Sequence, residues 1–112
     1  MTRITLRLDF DGKRRLGPGK VALLEAIART GSISAAGREF GMADRRAWLL
    51  VDNLNHMFAG PLVQTREGGR IGGGADLTEL GGKVVALYRE AEAKVRALAA
   101  VEIAGIEQVL AE

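Results

Sequence analysis

The 112-residue chain contains no cysteine and only one histidine, His56. The absence of cysteine excludes a disulfide framework, a thiolate nucleophile and a thiolate metal site. A single histidine argues against the histidine clusters that many zinc sites use. We therefore predict that the chain holds no metal and no other cofactor.

Aromatic residues are scarce at 4%, although hydrophobic residues make up 47% of the chain. The core must consist mainly of Leu, Val, Ile and Ala, which favours helices over a large sheet. No apolar run approaches the roughly 20 residues that span a bilayer, and the amino terminus lacks the apolar segment of a secretory signal. These absences predict a cytoplasmic protein with no membrane partner.

The formal net charge is only +2, but the charges are unevenly distributed. Residues 1–70 contain 12 lysines and arginines and 7 carboxylates, whereas residues 71–112 contain 4 and 7. A basic first part and an acidic last part are typical of a polyanion-binding head with a separate assembly element. An ordinary solvated surface would also show an asymmetry of this size, so charge alone leaves both interpretations open.

The first half of the chain predicts a short hairpin followed by three helices. Residues 4–10 alternate apolar and polar side chains as a half-buried strand does, and Asp11-Gly12 is a hairpin signal before a short return strand. Helical spacing predicts helices over about 19–30 and 43–58. Between them, a short helix begins at Ser32 or Ser34, whose hydroxyl can cap it, and ends near Phe40.

The stretch from Gly31 to Trp48 has the residue sizes of a helix-turn-helix. Two crossing helices need small side chains at their contact, and Ala36 and Gly37 are available there. Gly41 suits the left-handed backbone of the turn. The apolar residues placed to lock the two helices together are Phe40, Met42, Ala47 and Leu50.

A hairpin with a glycine-rich tip follows the stop at Gly60-Pro61. Residues 62–65 and 75–78 are predicted strands. The glycine run resembles a phosphate cradle, but it lacks the Gly-Lys-Ser/Thr of a P-loop, which argues against a nucleotide-binding enzyme. The predicted fold class is mainly α with small β, a winged helix-turn-helix with an N-terminal β-hairpin, in a single domain over residues 1–112.

A long last helix is predicted over about residues 79–110, with Thr78 as its cap and Gly105 as the point where it could kink. Its apolar residues recur at spacings of three and four, which indicates packing against another helix. The candidate dimer-interface residues are Val84, Tyr88, Ala91, Val95 and Leu98. The helix-turn-helix is therefore placed at about 34–58, the wing at about 62–78 and the dimerisation helix at about 79–110.

In a helix-turn-helix, the start of the second helix enters the major groove. Arg45 and Arg46 lie there, and each could grip guanine through two hydrogen bonds or hold a phosphate. Asp44 could accept a hydrogen bond from cytosine, although favouring the helix start is its better-supported role. The predicted DNA-contacting residues are Ser32, Ser34, Ala43, Asp44, Arg45, Arg46, Thr65, Arg66 and Arg70.

Several other residues have plainer interpretations. Lys13-Arg14-Arg15 could touch flanking phosphates but is more typical of a solvated turn. Trp48 is expected to pack structurally rather than to contact DNA. Asp52, Asn55 and His56 are interpreted as surface or local packing residues, and no catalytic arrangement stands out. The chain is therefore predicted not to be an enzyme.

A family resemblance rests on landmarks in matching order over about residues 4–98. They are Gly31-Ser-Ile-Ser34, Gly41-Met-Ala-Asp-Arg-Arg-Ala-Trp48, Asn55, and Gly68-Gly-Arg-Ile-Gly-Gly-Gly-Ala75 with Leu77-Thr78 and Gly81. The sequence thereby resembles the N-terminal domain of the molybdate-responsive ModE regulators, which is similar to the DNA-binding domain of LysR-type regulators. The resemblance implies a dimeric winged-helix regulator with Arg45 and Arg46 at the major groove. It also implies a wing carrying Thr65, Arg66 and Arg70, and a dimer interface on the last helix with contributions from the first.

Full-length members of that family carry molybdate-binding domains after the long helix, whereas this sequence stops at Glu112. We therefore expect no molybdate binding by that C-terminal route. The predicted function is a homodimeric, sequence-specific transcription regulator whose partner is double-stranded DNA. The alternative is a protein–protein interaction module that has lost DNA binding, which the modest net charge would fit.

Overall fold

The computed structural model describes residues 2–66 and 74–112. In chain order the elements are β1 (Leu8–Asp9), β2 (Arg15–Leu16), α1 (Pro18–Thr30), α2 (Ile33–Glu39), α3 (Asp44–Met57), β3 (Val63–Arg66), β4 (Gly74–Leu77), α4 (Glu79–Leu98) and α5 (Ala100–Gln108). The strands form two separate antiparallel pairs, β1–β2 and β3–β4. The predicted fold class is thereby confirmed as a winged helix-turn-helix that is mainly α with small β.

One apolar core lies between the first three helices, the base of the wing and the first turns of α4. Its largest fully buried side chains are Leu23, Leu24, Ile27, Leu54, Leu62 and Val21. Aliphatic residues therefore fill the core, as the shortage of aromatic residues predicts. Within the described ranges, no helix has both the length and the apolarity needed to cross a membrane.

The N-terminal strand is much shorter than its alternating pattern predicts. Only two residues of β1 pair with β2, and the preceding segment lies beside α4 and α5 instead. The hydroxyl of Tyr88 donates a hydrogen bond of 2.5 Å to the carbonyl of Leu6, and the hydroxyl of Thr2 donates to Glu107. Alternation reports only that every second residue is covered, and a neighbouring helix can cover those residues as well as a sheet can.

The turn between β1 and β2 is held by Asp11. Its carboxylate accepts hydrogen bonds from the backbone N–H groups of Lys13 at 3.0 Å and Arg14 at 2.8 Å, and from the Arg14 guanidinium. These bonds lower the pKa of Asp11 to about 2, because they favour its ionised form. Nε of Arg15 likewise lies 3.8 Å from Oδ1 of Asp9. Carboxylates therefore neutralise part of the positive charge of Lys13-Arg14-Arg15, which supports the interpretation of this cluster as a solvated turn.

Glycine shapes the helix-turn-helix at two positions. Gly41 has φ +71° and makes the turn as predicted. A Cβ atom on Gly37 would lie 2.7 Å from the Cβ of Ala47, so the crossing of α2 and α3 requires the smallest residue. The expectation that Phe40 locks the helices is wrong, because Phe40 is 47% exposed. The N–H of Met42 bonds the Gly37 carbonyl at 3.0 Å, and this half-buried residue lies at the crossing instead.

Asn55, near the end of α3, connects the recognition helix to the wing. Its Oδ1 accepts hydrogen bonds from the N–H groups of Leu62 at 2.9 Å and Val63 at 3.0 Å. Its Nδ2 donates to the carbonyl of Val63 at 3.0 Å. The first residues of the wing are thereby fixed relative to α3.

The other side of the wing base rests on the start of α4. The hydroxyl of Thr78 accepts from the N–H of Gly81 at 2.9 Å, which confirms the predicted cap, and it donates to the carbonyl of Pro61 at 2.7 Å. A Cβ atom on Gly81 would lie 2.1 Å from the carbonyl oxygen of Leu62. The wing and α4 can therefore approach this closely only because residue 81 has no side chain.

An ion pair joins α1 to α4. Arg89 donates from Nε and Nη2 to the two carboxylate oxygens of Glu25 at 3.0 and 2.7 Å, and from Nη1 to Glu92 at 2.8 Å. The hydrogen bonds from Arg89 lower the pKa of the Glu25 carboxyl, because they favour its ionised form. The bonds that Arg89 makes to Glu25 and Glu92 raise the pKa of Arg89, because they favour the charged guanidinium. This arrangement holds the first half of α4 against the core.

The long last helix is divided where the sequence does not suggest it. Ala99, with φ −96° and ψ 9°, separates α4 from α5. Its N–H bonds the carbonyl of Val95 at 3.1 Å and its carbonyl accepts from Ile103 at 3.0 Å, so the two helices follow one another closely. Gly105, the expected kink, lies inside α5. Its backbone is in no positive-φ conformation, so the freedom that glycine offers is not used there.

Candidate nucleic-acid interface

The α3 helix has one buried face and one open face. Ala47, Val51 and Leu54 point into the core. With about 3.6 residues per turn, the opposite face is centred on positions 45, 49 and 52. The residues at all three positions are exposed, so this face is available to a ligand along about two turns of helix.

The two arginines predicted to meet DNA lie at the start of that open face. Arg45 and Arg46 occupy the first turn of α3, directly after the Gly41 turn, and both are exposed. Neither forms an ion pair with any residue in the ranges 2–66 and 74–112. Their guanidinium groups can therefore present planar sets of donors to a phosphate or a base edge.

Ala43 and Asp44 form the helix start itself. Ala43 is the N-cap residue and has no side chain that could accept a hydrogen bond. Asp44 is the first residue of α3, where a carboxylate interacts favourably with the helix dipole. Its Oδ1 also lies 3.7 Å from Nη1 of Arg38 on α2. These contacts support a role for Asp44 in the helix start rather than at a cytosine.

A cleft of about 210 Å³ separates the helix-turn-helix from the wing. Ser32, which lines it, caps α2 by accepting from the N–H of Ala35 at 3.0 Å. Ser34 is half-buried and lines the same cleft with Trp48. The expectation that Trp48 packs structurally is wrong, because its position lies on the flank of α3 that borders this open cleft, and the residue is 49% exposed.

The first strand of the wing exposes polar residues beside the start of α2. Thr65 and Arg66 are exposed on β3. Nε of Arg66 lies 3.3 Å from Asp76 on β4, an exposed pair of the kind that contributes little and can exchange for another anion. The N–H of Ala75 donates to the carbonyl of Gly31 at 2.9 Å and fastens β4 beside the start of α2. The predicted contact residue Arg70 lies outside the described residues.

Two residues of the open face were missed from the sequence. Leu49 is 58% exposed, and Asn53 is exposed one turn later. Together with the two arginines they line a groove of about 480 Å³, completed by Ala43 and Leu50. The spacing of these residues could have identified them from the sequence. Leu49 follows Arg45 by four residues and Asn53 follows Arg46 by seven, and residues at these spacings lie on the same face of a helix.

The functional groups of this surface are ones that bind nucleic acid. Across the described parts of the chain, no group of three or more His, Cys, Asp or Glu side chains could hold a metal ion. What the surface offers is guanidinium groups, hydroxyls, an amide and short apolar patches. These are the groups that contact phosphates, base edges and base methyl groups.

Several known proteins are similar in sequence to most of this chain. The molybdenum-pterin-binding protein MopB of Rhodobacter capsulatus is 50% identical over 84 residues, which cover 75% of this chain and 31% of MopB. The molybdenum transport protein ModE of Azotobacter vinelandii is 40% identical over 87 residues, 78% of this chain and 32% of that protein. The DNA-binding transcriptional dual regulator ModE of Escherichia coli K12 is 35% identical over 85 residues, 76% and 32%. The chain spans about a third of the length of these relatives.

The similarity confirms the resemblance to the N-terminal domain of the ModE regulators. The family of bacterial regulatory helix-turn-helix proteins of the LysR type matches residues 19–82. That range begins in α1, includes the helix-turn-helix and both strands of the wing, and ends in the first turn of α4. Since it includes more than half of the chain and the whole of the surface described above, the chain belongs to the LysR family of bacterial regulatory helix-turn-helix proteins.

Proposed function

We propose that this chain is a sequence-specific, DNA-binding regulator of transcription that acts as a homodimer. The observation that carries the proposal is the pair Arg45 and Arg46, exposed in the first turn of α3 and free of ion pairs within the described residues. In a helix-turn-helix, the first residues of this helix meet base edges in the major groove. An arginine there can hold O6 and N7 of guanine with two hydrogen bonds.

The surroundings of the arginines supply contacts to the DNA backbone. Thr65 and Arg66 on β3 and the hydroxyl of Ser34 lie on the wing side of α3, together with the ring of Trp48. Phosphate contacts fix the position of a protein on the duplex, while base contacts specify the sequence. In this proposal α3 reads the sequence, and the wing and the start of α2 set its register.

The homodimer is supported by the apolar surface of the last two helices. The exposed large apolar residues on these helices and directly after them are Leu87, Val95, Leu98, Val101, Ile106, Val109 and Leu110. Of the predicted interface residues, Val95 and Leu98 are exposed and Val84 and Ala91 are half-buried, whereas Tyr88 is only 2% exposed within its own chain. A second copy would cover this surface and place two recognition helices about 34 Å, or a multiple of it, apart on one side of the duplex.

The arginine pair can be tested with DNA selected from a random library by the wild-type protein. We expect Arg45→Ala and Arg46→Ala each to weaken binding to the selected DNA by about 1–3 kcal/mol, with unchanged thermal stability because both side chains are exposed. A base contact relaxes the sequence preference at one position. A phosphate contact weakens all sequences alike and lowers the salt slope, d log K/d log[salt], by about 1.

Arg96→Ala is the matched control, because Arg96 is an exposed arginine on α4 with no ion pair in the described ranges. It should bind the selected DNA nearly as the wild type does. If both α3 variants bind as well as this control, the recognition surface is elsewhere. If the wild-type protein retards no DNA even at low salt, where phosphate contacts are strongest, the chain is the alternative interaction module.

A further inference from the structure

The groove on the open face of α3 has an apolar centre. Leu49 lies four residues after Arg45 and three after Arg46, so it shares their face of the helix, and all three line the same groove. Asn53 borders the groove one turn further along, and Asp52 is exposed beside it. Leu49 and its half-buried neighbour Leu50 thus form an apolar strip that is bordered by two guanidinium groups and an amide.

The major-groove edge of a base pair has both kinds of feature. An A·T pair presents the C5-methyl group of thymine, the only apolar group that the bases offer there, beside N6 and N7 of adenine. Apolar side chains contact the methyl group, and the amide of asparagine can bond adenine through two hydrogen bonds. The combination of Leu49 with Asn53 matches this edge, and the arginines match the guanines beside it.

We infer that Leu49 packs against the C5-methyl group of a thymine in each half-site and thereby determines part of the sequence specificity. The inference rests on the proposed function and names one base feature that α3 reads. Arg45 and Arg46 precede Leu49 along the helix, so the thymine lies next to the position or positions that they contact.

A protein partner fits this groove less well than DNA does. A specific protein interface buries about 800 Å² on each side and has an apolar centre depleted in charge. Here the apolar area consists mainly of Leu49 and its half-buried neighbour Leu50, and the guanidinium groups of Arg45 and Arg46 adjoin it. A base methyl group requires only that small apolar contact. The guanines and phosphates around it can accept hydrogen bonds from the two arginines.

Replacing thymine by deoxyuridine removes only the C5-methyl group, so it isolates this contact. In operator DNA selected by the wild-type protein, each thymine is replaced singly and the affinity is measured. We expect one replacement in each half-site to weaken wild-type binding about fourfold, the ratio for burial of one methyl group. Leu49→Ala should bind the intact operator at least that much more weakly and should be indifferent to the same replacement.

Phe40→Ala is the control, because Phe40 is an exposed apolar residue at the end of α2 that does not line this groove; it should keep the sensitivity to deoxyuridine. Alanine is the best helix former, so Leu49→Ala retains the fold, which circular dichroism checks. A Leu49→Ala protein that still loses fourfold on the same replacement overturns the inference, as does a wild type sensitive to no thymine. A change in oligomeric state by sedimentation also overturns it and identifies the groove as a protein contact. Failure of the wild type to bind any DNA is a separate result, which refutes the proposed function.

Discussion

Among single residues, Asn55 illustrates how a polar side chain can hold two elements together. It lies in the same polar turn as Asp52 and His56, and the sequence offers no reason to separate the three. Among the described residues, the Nδ1 atom of His56 contacts Asp52 of its own helix, the backbone carbonyl at 2.8 Å and Oδ1 at 3.6 Å. Asn55 instead bonds three backbone groups of Leu62 and Val63, both of which are buried.

Asn55→Ala should therefore lower the free energy of unfolding by about 1–3 kcal/mol, because two buried backbone N–H groups lose their acceptor. The matched control is Asn53→Ala, which makes the same change two residues earlier at an exposed position. That variant should remain within about 0.5 kcal/mol of the wild type. Denaturation by urea measures both, and equal stabilities of the two variants would contradict the proposed role of Asn55.

At the level of elements, the position of the wing depends on how closely α4 approaches it. Thr78 caps the helix and bonds the chain before β3, and Gly81 lies against the carbonyl of Leu62. Gly82 is the next residue of the same helix, and a Cβ atom there would meet nothing within 4 Å. Two adjacent glycines thus have opposite structural roles.

We expect Gly81→Ala to destabilise the protein by about 1–3 kcal/mol, because the added methyl group forces the wing base and α4 apart. Gly82→Ala should stabilise it by about 0.5–1 kcal/mol, since alanine replaces glycine at an exposed position inside a helix. Thermal unfolding of both variants under identical conditions gives the comparison. A stabilised Gly81→Ala protein would show that the close approach of α4 to the wing is not maintained in solution.

The whole molecule is elongated. Its radius of gyration is 16.7 Å and its extents are 57 × 31 × 23 Å, whereas a compact chain of this length has a radius of gyration of about 13 Å. The last helices account for much of the length and carry most of the exposed large apolar residues, with Leu98 at 87% exposure. Exposed apolar residues in this number along two consecutive helices are typical of an assembly surface, and this supports the proposed homodimer.

Leu98→Glu should convert the homodimer into a monomer, because a desolvated carboxylate without a partner opposes burial of this surface. Affinity for a two-half-site operator should fall, while the fold is retained because Leu98 is exposed. Ala93→Glu is the control, since Ala93 is exposed on the opposite face of α4 from Val84 and Val95. Sedimentation velocity distinguishes the two; a dimeric Leu98→Glu protein, or a monomeric wild type, would contradict the proposal.

Features that depend on near neighbours along the chain can be predicted from the amino-acid sequence. Gly41 makes the turn, Gly37 permits the helix crossing and Thr78 caps α4, and each of these follows from a local steric or hydrogen-bonding requirement. The exposed start of α3 with its two arginines was predictable for the same reason. Its position follows from the turn and from the apolar spacing of one helix.

What covers each surface depends on how the elements pack, which the sequence does not show. The N-terminal segment with the alternating pattern lies on α4 instead of extending β1. A helix and a second strand bury alternate residues equally well, so the pattern cannot distinguish them. Trp48 is exposed because nothing in the described chain packs over that flank of α3, and no local pattern reveals that. Asn55 and Gly81 meet the base of the wing, which belongs to a different element from either helix, and such contacts exist only once the elements have packed.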